Sequence, residues 1–337
     1  MRTDLAVIIP TYFGRDTTPE LRRQLMSDAV RDLGLFVAPG NWIVVLDGAP
    51  WARDDVLRVL DEVRGGARPT VVELQSNRGK GGAVVSGIEA ALERVPRCGA
   101  LAVMDCDGDH SAYDLPHLVE LLDQVTAYTG EPLVEVVGRR IDRSGSLGFL
   151  RAELEGVTSR VTFAALRFAL AHRGRALDET WVAPFGEPDL EAGFRVYTRE
   201  AAELVADALP AAARSAGDEG LLRWGVEVVP TTEICLAGGV HAEALRSTRE
   251  AQPATEYLAG VDPAEAYSLE LSWVLRRCGI DAQAALLMLE DAFIRSKARS
   301  EPAGARCAER IVPSVLSSLP GGDEALERRR TRAPRRL

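Results

Sequence analysis

The stretch Leu101–His110, with the sequence LAVMDCDGDH, decides which fold this chain is expected to adopt. Its apolar start predicts a buried strand. Asp105, Asp107 and Asp109 follow that strand directly, around a single glycine. Residues two apart in an extended segment project to the same side about 7 Å apart, so Asp105 and Asp107 repel by roughly 2 kcal/mol at an effective dielectric near 20.

A bound divalent cation would offset this repulsion. Mg²⁺ or Mn²⁺ binds one or two carboxylates and completes its shell with water and phosphate oxygens. The alternative is that the aspartates form an exposed acidic turn and cap the next helix. The neighbouring segments favour the cation.

Strands alternate with helices through the first half of the chain. Apolar runs at 5–9, 42–46, 70–74, 100–104 and 133–137 predict five strands, separated by segments with helical spacing. This alternation predicts an α/β fold with right-handed βαβ units and a mostly parallel sheet. Ligands of such sheets bind at the carboxyl ends of the strands, which places the turns after Ile9, Leu46, Leu74 and Met104 on one edge.

The pattern changes after residue 138. We expect a long amphipathic helix over 149–172 and two short strands at 194–197 and 226–229. The predicted organisation is an α/β domain over 1–239, a C-terminal helical segment over 240–320 and a basic, disordered tail over 321–337. The long helix and the C-terminal helices would contribute to a ligand site or to a homodimer contact.

Composition restricts the class of protein. The net charge of −10 argues against nucleic-acid binding. The five cysteines are scattered and lack a C-x-x-C pair, so neither a disulfide framework nor a zinc site is expected. No apolar stretch approaches the roughly 18 residues of a membrane span, which predicts a cytoplasmic protein. Six arginines within 328–336 form either a solvated end or a peripheral contact with the inner membrane surface.

A glycine-rich basic loop follows the third predicted strand. Its sequence NRGKGGA, residues 77–83, leads directly into a helix. The glycines allow close backbone approach, Arg78 and Lys80 add positive charge, and the helix start offers N–H groups, a combination that suits a diphosphate. The alternative is a turn with solvated basic residues. The first strand lacks a following G-x-G-x-x-G, which counts against a nicotinamide or flavin enzyme.

With these motifs in order, the sequence resembles the family-two glycosyltransferases of GT-A fold, and most closely those that glycosylate dolichyl or polyprenyl phosphate. The resemblance spans about 5–234. It rests on IIPTY at 8–12, VLDGAP at 45–50, NRGKGGAV at 77–84, DCDGD at 105–109 and DLEAGFRVYTRE at 189–200. This resemblance implies the GT-A fold, a nucleotide-sugar donor, a Mg²⁺ or Mn²⁺ cofactor and inversion at the anomeric carbon.

The resemblance also implies roles for individual residues. Those expected to bind the nucleotide sugar are Pro10, Tyr12, Asp47, Gly79, Lys80, Asp105 and Arg195. Those expected to bind the metal are Asp107, Asp109 and His241. For His241 the alternative is a surface-loop histidine, and for Arg195, with Arg139 and Arg140, the alternatives are a phosphate clamp or surface arginines.

Two departures from the family bear on donor and acceptor. Leu46-Asp47 stands where two adjacent acidic residues are common, and no transmembrane helices follow the catalytic domain. A polyprenyl-phosphate acceptor would be ionised already and need no base. A hydroxyl of a soluble metabolite or natural product would need a carboxylate base. The candidates are Asp189, Glu191, Asp218 and Glu219, with Asp189 and Asp218 preferred and helix capping as the alternative role.

Two other classes stay open at this point. A sugar-nucleotide pyrophosphorylase also uses a metal on an α/β sheet, but it would need a basic glycine-rich loop directly after the first strand. A non-catalytic nucleotide-sugar binder would need neither the metal nor Asp107 for its function.

Overall fold

The computed structural model describes residues 3–63, 68–144, 148–182, 187–247 and 262–332. Its strands are β1 Leu5–Thr11, β2 Trp42–Asp47, β3 Thr70–Leu74, β4 Ala100–Val103, β5 Val134–Arg139, β6 Arg195–Thr198 and β7 Val240–Leu245. Its helices are α1 Pro19–Val30, α2 Arg53–Glu62, α3 Gly79–Arg94, α4 Leu115–Thr129, α5 Phe149–Ala171, α6 Arg199–Ala216, α7 Gly220–Trp224, α8 Val228–Ala237, α9 Pro263–Arg277, α10 Ala282–Arg295, α11 Pro302–Ser317 and α12 Gly322–Arg332.

The strands form one mostly parallel sheet in the order β3-β2-β1-β4-β6-β5-β7. β1 lies parallel to both β2 and β4, whereas β6 runs antiparallel to its neighbours β4 and β5. β1, β2 and β4 are buried along their whole length. Strands covered on both faces are near-continuous apolar runs, which is why these three were recognisable in the sequence.

By contact clustering the chain divides into two compact units. The first holds the described residues of 1–142, 178–186 and 192–257, and therefore the whole sheet. The second holds those of 143–177, 187–191 and 258–337, including α5 and α9 to α12. Within the described ranges, no helix combines the length and apolar character needed to cross a bilayer.

This division differs from the predicted one. β7 pairs with β5 beyond the predicted boundary at 239, so the sheet continues past that point. The tail predicted to be disordered is helical over Gly322–Arg332, and residues 333–337 lie outside the described part. In α12, Arg329 donates to Glu290 of α10 and Arg328 to Gln283, so these arginines pair within their own unit.

The predicted strand at 226–229 is wrong. Val228 and Val229 begin α8, which Gly238 ends with a φ of +101°. The run VVPTT contains Pro230, which would remove a hydrogen bond from a strand but costs little in the first turn of a helix. An apolar, β-branched run of this length fits either a strand or a helix, and in the folded chain it begins a helix.

A buried charged cluster connects the last three strands in the sheet order. His241 Nδ1 on β7 lies 2.8 Å from Glu135 Oε1 on β5, and Arg195 on β6 donates to Glu135 Oε2 at 3.2 Å. Arg195 also donates to Thr231 on α8. Although burial opposes ionisation, the hydrogen bond from His241 and the charge of Arg195 hold the pKa of Glu135 below its usual value.

Glu243 completes the surroundings of His241. Its Oε1 lies 3.7 Å from His241 Nε2, and its Oε2 pairs with Arg139 at 3.1 Å. Burial disfavours the imidazolium, but the hydrogen bonds to Glu135 and Glu243 outweigh it and raise the pKa of His241 to about 9.

Close helix–sheet packing at Gly87 gives a first testable prediction. A Cβ at this position of α3 would lie 2.3 Å from Ile8 Cγ2 and 3.2 Å from Val45 Cγ2. We expect Gly87→Ala to lower the free energy of unfolding by about 1–3 kcal/mol, because overpacking forces the helix away from the sheet. Urea unfolding measures this, with Glu89→Ala on the exposed face of α3 as the control. Equal stability of the two variants would contradict the packing.

The cluster around His241 gives a second prediction. Because the pKa of His241 is higher in the folded chain than its usual 6.5, the imidazolium stabilises the fold fully below pH 6.5 and loses this contribution as the pH rises through about 9. The loss amounts to about 3 kcal/mol for a shift of this size. Urea unfolding between pH 6 and 9.5 should show this decline in the wild type and a flatter profile in His241→Gln. His117→Gln, at an exposed position of α4, should retain the decline.

Candidate functional site

The site lies at the carboxyl ends of β1, β2 and β4, all within the first unit. Lys80, in the first turn of α3, places its Nζ 2.8 Å from Asp105 Oδ2 and 3.1 Å from Glu227 Oε1. Burial disfavours the charge on Lys80, but the two carboxylates outweigh it and raise the pKa of its ammonium group above the usual value. The predicted neighbourhood of Lys80 and Asp105 is therefore present in the structure.

Glu227 is a site residue that the sequence analysis missed. It lies directly before α8, and its side chain is largely buried beside Lys80. Residues 226–229, which include Glu227, were predicted to form a strand, so no reason existed to place this carboxylate near the glycine-rich loop. Only the packing of α8 brings the two together.

Gly193 is the second missed residue, and it covers the ion pair closely. A Cβ on Gly193 would lie 2.5 Å from Lys80 Nζ and 2.6 Å from Asp105 Oδ2. The backbone just before β6 thus passes directly over these two charged groups. The motif DLEAGFRVYTRE included this glycine, but its spacing gave no sign of the contact.

We call residues 105–109 the acidic loop. Asp109 N–H donates to Asp107 Oδ1 at 3.2 Å, and Gly108 between them has a φ of +88°. Burial, followed by repulsion from Asp105 and Asp109, raises the pKa of Asp107 to about 7. The crowding of negative charge inferred from the sequence is therefore present in the fold.

Asp105 differs from Asp107 in its surroundings. Burial opposes its ionisation, but the charge and hydrogen bond of Lys80 outweigh this and lower the pKa of Asp105. Its backbone N–H donates to His110 Nδ1 at 2.8 Å. Burial keeps the pKa of His110 well below its usual value, so the ring is neutral, and it stacks on Phe194 with ring centroids 4.9 Å apart.

The glycine-rich loop does not form the open phosphate cradle that was expected. A Cβ on Gly79 would lie 2.7 Å from Arg223 Cα, and one on Gly81 would lie 2.6 Å from the Leu222 carbonyl oxygen. These glycines therefore admit the backbone of α7. Two N–H groups at the helix start are also engaged, because Arg78 N donates to Asp47 and Gly79 N donates to Asn77.

Asp47 has a corresponding structural contact. Its carboxylate is buried and accepts the Arg78 N–H at 2.7 Å, which joins the end of β2 to the loop. Burial raises the pKa of Asp47 despite this bond. Pro10 is also buried, within β1, whereas Tyr12 directly after that strand is 38% exposed.

Tyr12 lies next to a second aromatic ring, Trp51, which in turn contacts Arg15. Its ring meets Trp51 edge to face with centroids 6.4 Å apart, and the Arg15 guanidinium lies 4.4 Å from the centroid of Trp51. Sequence analysis identified Tyr12 but missed Trp51 and Arg15, which come together only because the ends of β1 and β2 are adjacent.

Several predicted ligands serve the fold instead. Arg195 is buried and bonded to Glu135 and Thr231, so it is not an open phosphate clamp. Arg139 pairs with Glu243, and Arg140 is buried. His241 is neither a surface-loop residue nor a ligand beside the acidic loop, because it lies on β7 with its ring nitrogens facing Glu135 and Glu243.

The predicted catalytic carboxylates are not brought together. Asp218 is exposed and accepts the Gly220 N–H at 2.7 Å, a local contact just before α7, whose N-cap is Glu219. Glu219 is exposed as well. Asp189 and Glu191 are buried in the second unit, where Asp189 Oδ1 lies 3.9 Å from Arg143.

The acidic loop fits a hard divalent cation only in part. Its donors are carboxylate oxygens, which Mg²⁺ and Mn²⁺ prefer, and burial together with repulsion from Asp105 and Asp109 raises the pKa of Asp107. Among the described residues, no group of three His, Cys, Asp or Glu side chains is arranged to hold a metal ion by itself. A cation here would therefore need oxygens from a ligand, as is usual for Mg²⁺ bound with phosphates.

Comparison with known proteins gives one family. Residues 6–172 match the family described as "Glycosyl transferase family 2", and no curated protein matches the chain. Among solved structures, the chain is similar to mannosyltransferase PcManGT from Pyrobaculum calidifontis in complex with GDP-Man and Mn²⁺, at 16% identity and a TM-score of 0.45 over 98% of this chain and 76% of that one.

Two further structures have lower scores. One is a cytidylyltransferase from Leptospira borgpetersenii, with 10% identity, a TM-score of 0.37 and coverage of 73% and 77% of the two chains. The other is mouse xyloside xylosyltransferase 1 in its apo form, with 12% identity, a TM-score of 0.34 and coverage of 72% and 85%. Likenesses at this level carry no information about the ligands of this chain.

The family match covers β1 to β5, the part of the chain that supplies the acidic loop and Lys80. Together with the mostly parallel sheet flanked by helices, it makes this chain a glycosyltransferase of family 2 with the GT-A fold.

Proposed function

We propose that this glycosyltransferase uses a UDP- or GDP-linked sugar, and that the donor diphosphate binds with Mg²⁺ or Mn²⁺ between the acidic loop and Lys80. The main support is the 2.8 Å contact between Lys80 Nζ and Asp105 Oδ2, which brings a cationic helix start beside three carboxylates. A metal-bound diphosphate requires carboxylates on its metal and cations on its remaining oxygens.

Asp107 is the first candidate to hold the metal, with Asp109 beside it. A divalent cation would favour the ionised form of Asp107, whose pKa is otherwise raised to about 7. When bound, the metal would neutralise part of the charge on the departing nucleoside diphosphate. Lys80 would stabilise the same charge from the protein side, released from one of its two carboxylate partners.

The nucleoside would lie against the residues that follow β1 and β2. Tyr12, Trp51 and Arg15 offer an exposed aromatic and cationic surface suited to stacking with a base. Pro10 and Asp47 would support this surface from beneath, and Asp105 would lie by the ribose. Gly79 would act indirectly: its close packing against α7 fixes the start of α3 and therefore the position of Lys80.

Transfer would proceed by a single displacement with inversion. An acceptor oxygen forms a bond to the anomeric carbon while the bond from that carbon to the diphosphate breaks, and the electron pair leaves with the nucleoside diphosphate. A polyprenyl-phosphate acceptor, favoured by the NRGKGGAV motif, would need no base. A soluble hydroxyl acceptor would need one, and Glu227, a largely buried carboxylate beside Lys80, is the candidate within the first unit.

Ligand binding and turnover test this proposal. A thermal-shift panel of UDP-, GDP- and dTDP-sugars with and without Mn²⁺ should give one donor that raises the melting temperature only with metal, because a ligand of the folded state stabilises it by mass action. Sugar transfer from that donor should then be assayed with polyprenyl phosphate in detergent and with soluble acceptors. Binding without transfer to any acceptor would favour a nucleotide-sugar binder, and formation of sugar nucleotide from NTP and sugar phosphate a pyrophosphorylase.

Removal of one acidic side chain should separate metal binding from folding. We expect Asp107→Asn to abolish the Mn²⁺-dependent part of the thermal shift and to lower kcat/KM by about 100-fold, or about 2.7 kcal/mol of transition-state stabilisation. Chelation of the metal should have the same effect on the wild type. Glu120→Gln, an exposed change on α4, should leave both unchanged. Activity of Asp107→Asn within threefold of wild type would contradict the assigned role.

The close packing of Gly193 against Lys80 and Asp105 gives a further prediction. Gly193→Ala should displace Lys80 Nζ from Asp105 and weaken donor binding by about tenfold, because the new methyl group would lie within 2.6 Å of both groups. Stability should fall as well, by about 1–3 kcal/mol, because Asp105 would lose its largely buried partner. Gly34→Ala, whose Cβ would make only an ordinary contact 3.8 Å from Trp42 Cζ2, is the matched control in a calorimetric titration. Unaltered donor affinity would show that the ion pair is not used.

A further inference from the structure

Arg246 is a buried cation that neither the sequence motifs nor the proposed reaction accounts for. It follows β7 directly, and its N–H donates to the Arg139 carbonyl oxygen at 2.9 Å, so the pairing of β7 with β5 extends to this residue. Its side chain is 1% exposed and is among the largest that are fully buried. Burial of a guanidinium is costly, so its surroundings have to compensate the charge.

The path of the Arg246 side chain depends on a glycine. A Cβ at Gly138, in β5, would lie 2.9 Å from Arg246 Cδ and 3.0 Å from its Cγ. The same Cβ would lie 3.2 Å from Leu118 Cδ2 of α4, so the arginine passes between β5 and α4. Any larger residue at position 138 would have to displace the arginine from this path.

The guanidinium ends at the acidic loop. Arg246 Nη1 donates to the Asp109 carbonyl oxygen at 3.4 Å. The next residue, Ser247, donates from both its N–H and its hydroxyl to Asp114 Oδ1, at 2.8 and 2.6 Å. The residues after β7 therefore bond to the chain at two points: Arg246 to Asp109, in the acidic loop, and Ser247 to Asp114, a few residues after that loop.

We propose that Arg246 is a positioning residue, which fixes the backbone of the acidic loop at Asp109 and supplies it with a buried positive charge, and that Gly138 is the position that admits it. The proposal rests on the proposed function of the acidic loop for its effect on catalysis. The effect on the loop itself does not depend on any ligand. Two cations would then hold the acidic loop. Lys80 pairs with Asp105 and would also bind the donor, whereas Arg246 bonds to the Asp109 carbonyl oxygen and would not contact the donor.

A double-mutant cycle between positions 138 and 246 tests the contact directly. The full chain is compared as wild type, Gly138→Ala, Arg246→Ala and the double variant. Amide hydrogen exchange over 105–110 reports on the loop without any ligand, and titration with Mn²⁺ in the presence of saturating UDP or GDP, followed by calorimetry, reports on its metal affinity. We expect Gly138→Ala to speed the exchange of these amides about tenfold in the wild type, but less than about threefold when Arg246 is already alanine.

Mn²⁺ affinity should follow the same non-additive pattern, and Arg246→Lys should recover part of it, since the charge is kept and the planar donor group is lost. Arg151→Met is the matched control, because Arg151 is a largely buried arginine that pairs with Glu155 in the second unit. It should leave loop exchange unchanged. If Arg246→Ala does not fold, the single Gly138→Ala variant and Arg246→Lys still test the proposal.

Two results would overturn the proposal. One is an unchanged exchange rate over 105–110 in Arg246→Ala or, should that variant not fold, in Gly138→Ala. The other is strictly additive effects of the two substitutions. Loop exchange that responds as expected in a chain that binds neither Mn²⁺ nor any nucleotide sugar would instead support the positioning role and refute the proposed function.

Discussion

The ion pair between Lys80 and Asp105 is the interaction on which the arrangement of the site depends. It joins the first turn of α3 to the end of β4, and Glu227 joins α8 to the same ammonium group. The three side chains are largely buried, so their attraction is screened less than that of a surface pair and leaving any one of them unpaired would be costly. The backbone at Gly193 covers the pair at a distance that no side chain would permit.

The sheet separates two groups of charges with different roles. In the acidic loop, burial and then repulsion from Asp105 and Asp109 raise the pKa of Asp107. Farther along the sheet, Glu135, His241 and Arg195 compensate one another inside the core. A buried group whose partners are already satisfied cannot exchange them for a ligand without loss, whereas a crowded set of like charges gains from a cation. The same residue types therefore serve the site in one place and the fold in the other.

Much of the fold was predictable because buried parallel strands are local apolar runs. The predicted strands at 5–9, 42–46, 70–74, 100–104 and 133–137 correspond to β1, β2, β3, β4 and β5. The errors fall where a short segment fits two structures. The run at 226–229 is β-branched yet begins a helix, and β7 lay beyond the predicted boundary because its pairing with β5 spans about a hundred residues of sequence.

The sequence by itself determined the strands β1 to β5, the family, the acidic loop and the basic, glycine-rich start of α3. Each of these features is encoded by residues that are adjacent in the sequence. Only the tertiary structure decided what the glycines and the isolated charges do. Gly79 and Gly81 admit α7, Arg195 and His241 compensate Glu135, and Glu227 reaches Lys80. A charge acts through the partners around it, and these partners come from strands and helices whose order in space the local sequence does not contain.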